Sequence, residues 1–155
     1  MEAEYEFIDY DSKYKSDFAR LNYQWIEQYF EIEETDRKYL DHPEQMIIEK
    51  GGAIIFIRRA EKIIGTCALV KMDSLTFELA KMAIDPEEHG KGLGYKLGKA
   101  TIEKARQLGA ERIYLESNTV LEPAIHLYRK LGFIEFTASE SPYARSNIQM
   151  EYSFD

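Results

Sequence analysis

The stretch "EEHGKGLGYKLGKA", residues 87 to 100, sets Gly90, Gly92 and Gly94 at alternate positions and then turns helical. Each glycine costs folding entropy, so three in one short loop point to a tight turn or to a ligand that comes close to the backbone. A loop of this kind at a helix N-terminus aims successive N–H groups at one point and adds the partial positive charge of the helix. Phosphate is the expected guest. From residue 89 to 104, Lys91, Lys96, Lys99 and Lys104 stand against Glu103 alone, and Lys91 and Lys96 are placed to reach phosphates. Two other phosphate loops fail on spacing. A Walker A loop needs glycine where Leu93 stands and serine or threonine where Ala100 stands; a dinucleotide fingerprint needs glycine at Tyr95 or Leu97.

Other side chains suit acid–base work. Glu78 lies between Phe77 and Leu79, and a carboxylate shielded by such neighbours has a raised pKa, which suits a base. Cys67 sits in the apolar run "GTCALV" with no histidine beside it, so it reads as a buried structural thiol rather than a nucleophile. His42, His89 and His126 are too scattered for a metal cluster, and none is expected.

These residues need elements to position them. A first strand is expected over Glu4 to Ile8. Phe18, Leu21, Trp25, Ile26 and Tyr29 recur at three- and four-residue steps, which predicts a helix from Lys13 to Phe30. A short helix follows around Thr35 to Leu40, with Thr35 as N-cap and Pro43 beyond it. Ala53 to Arg58, Ile63 to Lys71 and Thr76 to Ile84 read as an antiparallel three-strand meander. Leu93, Leu97, Ala100 and Leu108 share a helical stripe closed by Gly109. "ERIYLES" is a strand, Leu121 to Leu131 a helix with Pro123 in its first turn, and strands from Phe133 to Thr137 and from Asn147 to Ser153 complete a mixed α/β chain. With 155 residues and 45% hydrophobic content, one domain spanning 1–155 is expected.

Composition excludes some functions. A net charge of −8 disfavours a nucleic-acid binder, which needs a basic face. No apolar run approaches the ~20 residues of a membrane helix, and the N-terminus lacks a signal-peptide pattern. With its single cysteine, the chain is expected to be soluble and cytoplasmic.

His89, Gly92 and Gly94 fall on the pattern Gln/Arg-x-x-Gly-x-Gly, and "FELAKMAID", "IYLESN" and "AIHLYRKLGF" accompany it. Here the chain resembles the GNAT superfamily of acetyl-CoA-dependent N-acetyltransferases. "ELAKMAI", "LESN" and "SPYAR" look like a subgroup that includes acetyltransferase domains fused to MarR-type regulators, although the chain has no room for the regulator. The resemblance implies an α/β (α+β) fold with a mostly antiparallel sheet of about seven strands, splayed between the fourth and fifth and flanked by about four helices. It implies that Met82, Ala83, Ile84, His89, Gly90, Lys91, Gly92, Leu93, Gly94, Tyr95, Asn118 and Tyr128 contact the cofactor. It also makes Glu78 the general base and Tyr128 the general acid for direct transfer of acetyl to a primary amine of a small molecule or peptide. Two departures stand out: His89 replaces the usual arginine or glutamine, and Leu121 stands where asparagine is common, with Asn118 three residues earlier.

The acceptor end is expected from the first helices and the last loop, with Trp25, Tyr29, Glu33, Tyr143 and Arg145 as candidate contacts. Residues 27 to 50 carry eight acidic side chains against three basic ones, which suits a cationic amine, whereas Arg145 would suit a carboxylate. The sequence does not choose between them. Protein N-terminal or lysine acetylation and a non-catalytic acyl-CoA sensor are the alternatives, and the oligomeric state, a homodimer included, stays open.

Overall fold

Strands rich in β-branched and aromatic residues form the centre of the molecule. The computed structural model describes residues 4–136 and 143–154. Seven strands form one sheet in the order β1-β2-β3-β4-β5-β7-β6: β1 Tyr5–Asp9, β2 Ala53–Arg59, β3 Lys62–Lys71, β4 Thr76–Ile84, β5 Arg112–Ser117, β6 Ile134–Phe136 and β7 Ile148–Ser153. Neighbours are antiparallel except β4 and β5, which run parallel. Among the described residues, four α-helices cover the sheet: α1 Lys15–Tyr29, α2 Glu34–Asp41, α3 Leu93–Gln107 and α4 Glu122–Leu131.

Both faces of the sheet are covered, so β2 reads as an almost unbroken apolar run rather than an alternating one. Ile55 and Ile57 enter the core beneath α3 and α4, with Leu97, Ile125 and Met150. Ile54 and Phe56 enter the core beneath α1 and α2, with Phe18, Ile26 and Leu40.

Two irregularities in β4 shape the rest. First, β4 and β5 pair only at Thr76–Arg112, Phe77–Ile113 and Glu78–Tyr114; beyond these β5 stays paired with β7 as far as Ser117, while β4 runs on to Ile84 with that edge unpaired among the described residues. The expected splay is present. Second, Thr66 pairs with Ala83 and Ala68 with Ala80, so Lys81 and Met82 together oppose Cys67 in a β-bulge. Lys81 takes the left-handed conformation there, with φ 52°. The extra residue reverses the alternation of the strand. Phe77 and Leu79 face the α3–α4 core before the bulge; after it Met82 and Ile84 pack there, while Ala83 faces the α1–α2 core.

Element ends differ from expectation in three places. The N-cap of α2 is Glu33, not Thr35: Glu33 and Asp36 form a reciprocal capping box, two donors satisfied at once, which places Thr35 inside the first turn. Past Pro43 the chain makes a further π-helical turn, Glu44–Ile48, instead of stopping. The sixth strand is Ile134–Phe136, and Thr137, the end expected for it, lies outside the described residues.

Candidate functional site

The glycine loop resolves into two kinds of glycine. Gly90 and Gly92 have φ 81° and 74°, a conformation that a side chain disfavours, and a Cβ at either would meet nothing within 4 Å. Gly94 has ordinary φ, and its Cβ would lie 3.2 Å from Leu127 Cδ2, so this glycine lets α3 approach α4 closely. Gly92 is the N-cap of α3 and supplies no side-chain cap. Lys96 is the first residue after His89 whose amide bonds a main-chain carbonyl, that of Gly92 at 3.4 Å. Among the described residues, the amides of residues 90–95 thus take no main-chain carbonyl, as a diphosphate cradle requires. Leu93 is buried in the core and offers the cradle its amide only.

Charges around this loop are already committed. His89 Nε2 lies 3.2 Å from the Ile84 carbonyl, which ties the start of the loop to the end of β4. Lys91 Nζ pairs with Glu88 at 3.1 Å, and the buried Glu88 also accepts from Arg59 at 2.6 Å. Tyr95 is flanked by the ammonium groups of Lys130 and Lys99, 4.6 and 5.5 Å from its ring centre. Lys96 is exposed.

From the loop, the unpaired edge of β4 leads to a recess where the sheet divides. Its walls include Trp25 of α1 and Phe30 just past its end, Glu78 and Lys81 of β4, Glu116 of β5 and Tyr128 of α4. It holds about 740 Å³ of unfilled space, the solvent at its mouth included. Glu78 and Tyr128 arrive from opposite faces of the sheet, and the divide lets both line one space.

Glu78 takes part in no hydrogen bond or ion pair among the described residues. Burial, and secondarily the Glu116 charge, push its carboxyl up to about 7, against the opposing pull of Lys81. Glu78 pairs with Tyr114 across the strands, so Glu116, two residues on, shares its face. Tyr114 donates to Glu116 at 2.6 Å. Tyr128 packs its ring edge against Phe133, 6.1 Å between centres, and burial holds its phenol above the ordinary value. The end of "LYRKLGF" fixes it: Gly132 turns left-handed at φ 111°, and the Phe133 amide returns to the Tyr128 carbonyl at 2.9 Å. Cys67 is fully buried, and desolvation drives its thiol up to about 12, a hydrogen bond with Thr101 opposing.

Of the residues expected at the acceptor end, Trp25, Tyr143 and Arg145 line the recess. Tyr29 meets Trp25 at a tilt, 5.4 Å between ring centres, but is 46% exposed. Arg145 is engaged: Nη1 and Nη2 donate to Asp36 at 2.8 and 2.7 Å, and Nη1 also to Glu33 at 3.1 Å. Asn118 bonds the Arg145 carbonyl at 2.7 Å and accepts the Val120 amide at 2.9 Å, so it anchors the 143–147 segment to the end of β5.

Sequence reasoning missed Lys81, Asp36 and Glu116. Lys81 donates to Asp36 at 2.7 Å and to the Tyr143 hydroxyl at 2.8 Å. Burial alone would raise the Asp36 carboxyl; hydrogen bonds from Arg145 and the charge of Lys81 outweigh it and hold the group at about 2. A lysine inside an apolar central strand was the legible signal. Among the described residues, no three metal-ligating side chains cluster and no helix is long and apolar enough to cross a membrane.

Comparison with known proteins agrees with this geometry. The chain is 36% identical over 97 residues to the uncharacterized N-acetyltransferase YjgM of Escherichia coli, covering 61% of itself and 58% of that protein. It is 38% identical over 79 residues to streptothricin acetyltransferase of Streptomyces lavendulae, covering 45% of itself and 41% of that protein. It thus spans about half the length of these relatives. An acetyltransferase of the GNAT family from Staphylococcus aureus Mu50 superposes with TM-score 0.86 at 21% identity, over 97% of this chain and 99% of that one. The Salmonella typhimurium protein yncA, solved with its cofactor acetyl-CoA, superposes with TM-score 0.76 at 16% identity, over 99% and 95%. The Acetyltransferase (GNAT) family model matches residues 19–133, so the chain belongs to the GNAT family, for which acetyl-CoA is the acyl donor.

Proposed function

We propose that the protein transfers acetyl from acetyl-CoA to a primary amine of a small molecule by direct attack. One observation carries this reading: the carboxylate of Glu78, without a hydrogen-bond partner among the described residues, and the phenol of Tyr128 line one recess at the end of the open β4 edge. The amides of residues 90–95 would hold the diphosphate. Peptide groups along the unpaired edge, from Met82 to Ile84, would pair with the amide-bearing arm as an added strand does. When bound, the cofactor supplies an acetyl thioester.

The protein then handles protons. An acceptor ammonium has a pKa near ~10 and no lone pair, so a base must take its proton. Glu78, held near neutrality, can take that proton at physiological pH without being permanently protonated. Tyr128 keeps its proton and offers it to the departing sulfur as a hydrogen bond. Amides of β4 near Met82 would steady the oxyanion. Cys67, sealed in the core, supports the direct route. The compact recess, bounded by α1 and the 143–146 segment, supports a small molecule over a protein surface.

Measuring thiol released from acetyl-CoA across amines tests this proposal. Glu78→Gln and Tyr128→Phe are each expected to lower kcat on the order of a hundredfold, the usual worth of a positioned acid or base. Normal turnover by either variant would remove its assigned role.

A further inference from the structure

Lys81 is buried in the recess wall and takes no part in the proposed proton transfers. Residues three apart on a regular strand point to opposite faces, and Glu78, between Phe77 and Leu79, lies on the α1–α2 face. The β4 bulge brings Lys81 to that same face. Lys81 and Met82 together oppose Cys67, and at φ 52° Lys81 delivers its ammonium to Asp36 and Tyr143, with the Tyr39 ring centre 5.9 Å away. Glu78 and Lys81 therefore line one recess.

The charges here are unevenly buried. Lys81 and Arg145 share Asp36, which is fully buried, and only 6% of the Lys81 side chain is exposed. Glu33, the further anion on Arg145, is 28% exposed. One sealed anion thus serves two cations. Facing Glu78 are Glu116 and Tyr114 of β5, Lys81 of β4, Tyr39 of α2 and Tyr143 of the last segment, with Tyr128 of α4 on the same recess. Among these described groups Lys81 is the one cation. Asp36 and Arg145 act on Lys81 itself.

Resting on the reading of Glu78 as the base, we infer that Lys81 is a positioning residue for the transfer: the bulge carries its ammonium to the face of Glu78, where its charge keeps the carboxylate ionised in a desolvated recess. Asp36 and Tyr143 hold the ammonium in place for this role, and the left-handed backbone at residue 81 is kept for it.

Lys81→Met and Lys81→Arg, each checked for folding by circular dichroism, test this. Titration of the Glu78 carboxyl is followed by carbon NMR of side-chain-labelled glutamate, with Glu78→Gln identifying its signal. Its midpoint is expected about one pH unit higher in Lys81→Met, as loss of a nearby opposite charge requires, and unmoved in Lys81→Arg. The acid limb of kcat/KM, read with acetyl-CoA and the amine that releases thiol fastest, should follow, a roughly tenfold loss at pH 6 that shrinks toward pH 9. Should Lys81→Met not fold, Lys81→Met/Asp36→Asn removes both members of the pair, leaves Arg145 on Glu33, and is read in the same way. If the Glu78 midpoint moves and the rate limb does not, Glu78 is not the base, while the effect of Lys81 on it stands. A midpoint unchanged in the folded variant, or moved as far by Lys81→Arg as by Lys81→Met, overturns the inference whatever the rates do.

Discussion

On the proposed mechanism, Glu78 works as a base in a place that penalises its charge. Its carboxyl rises from 4.5 to about 7, so kcat/KM should climb with pH through about 7 as it ionises. Glu116→Gln removes a raising charge and should move that limb to lower pH, which a pH–rate profile would show. The same shift acts on stability. A carboxylate whose folded value is raised favours the native state while protonated and loses that advantage as pH rises from 4.5 to about 7. Glu78→Gln should therefore be more stable than the parent at pH 8, by on the order of 3 kcal/mol from the size of the shift; urea denaturation at pH 5 and pH 8 checks it. An inactive variant that resists denaturant would mark Glu78 as a residue kept for chemistry at the expense of the fold. Glu78 and Tyr128 were legible because their motifs are local. Glu116 was not, since its nearness to Glu78 depends on the β4–β5 register, 38 positions apart in "FELAKMAID" and "IYLES".

The loop and α3 show how one residue type serves two purposes. Gly92→Ala forces a side chain into the left-handed region, at a strain of about 1–2 kcal/mol, and should raise KM for acetyl-CoA. Gly98→Ala differs. Its Cβ would fall within 3 Å of Leu131 Cδ1, on α4, so overpacking should cost about 1–3 kcal/mol by thermal denaturation with cofactor affinity kept by the folded fraction. The spacing of the glycines announced a phosphate loop, yet Gly94 and Gly98 answer to helix packing, a demand that appears only once α4 lies against α3. The bulge at Lys81 was likewise hidden, because a lysine with positive φ follows no composition rule. Without it Met82 and Ala83 would exchange faces.

Across the whole molecule, Asp36 links α2, β4 and the 143–145 segment through Lys81 and Arg145. Removing one partner of a buried ion pair strands the others, so Asp36→Asn should lose about 3–5 kcal/mol in urea denaturation. Because its carboxyl is held at about 2, this contribution is full above the unfolded value of 3.8 and drains away as pH falls toward 2. The order of elements followed from periodicity, and the splay from what the family resemblance implies. The clamp did not, since it joins residues more than one hundred positions apart. Cys67, the single sulfhydryl of the chain, lies sealed behind the bulge. Maleimides and aromatic disulfides added to the folded protein should therefore find no native target, and a cysteine installed at the rim, as in Tyr29→Cys, would become a unique handle for dyes or cross-linkers.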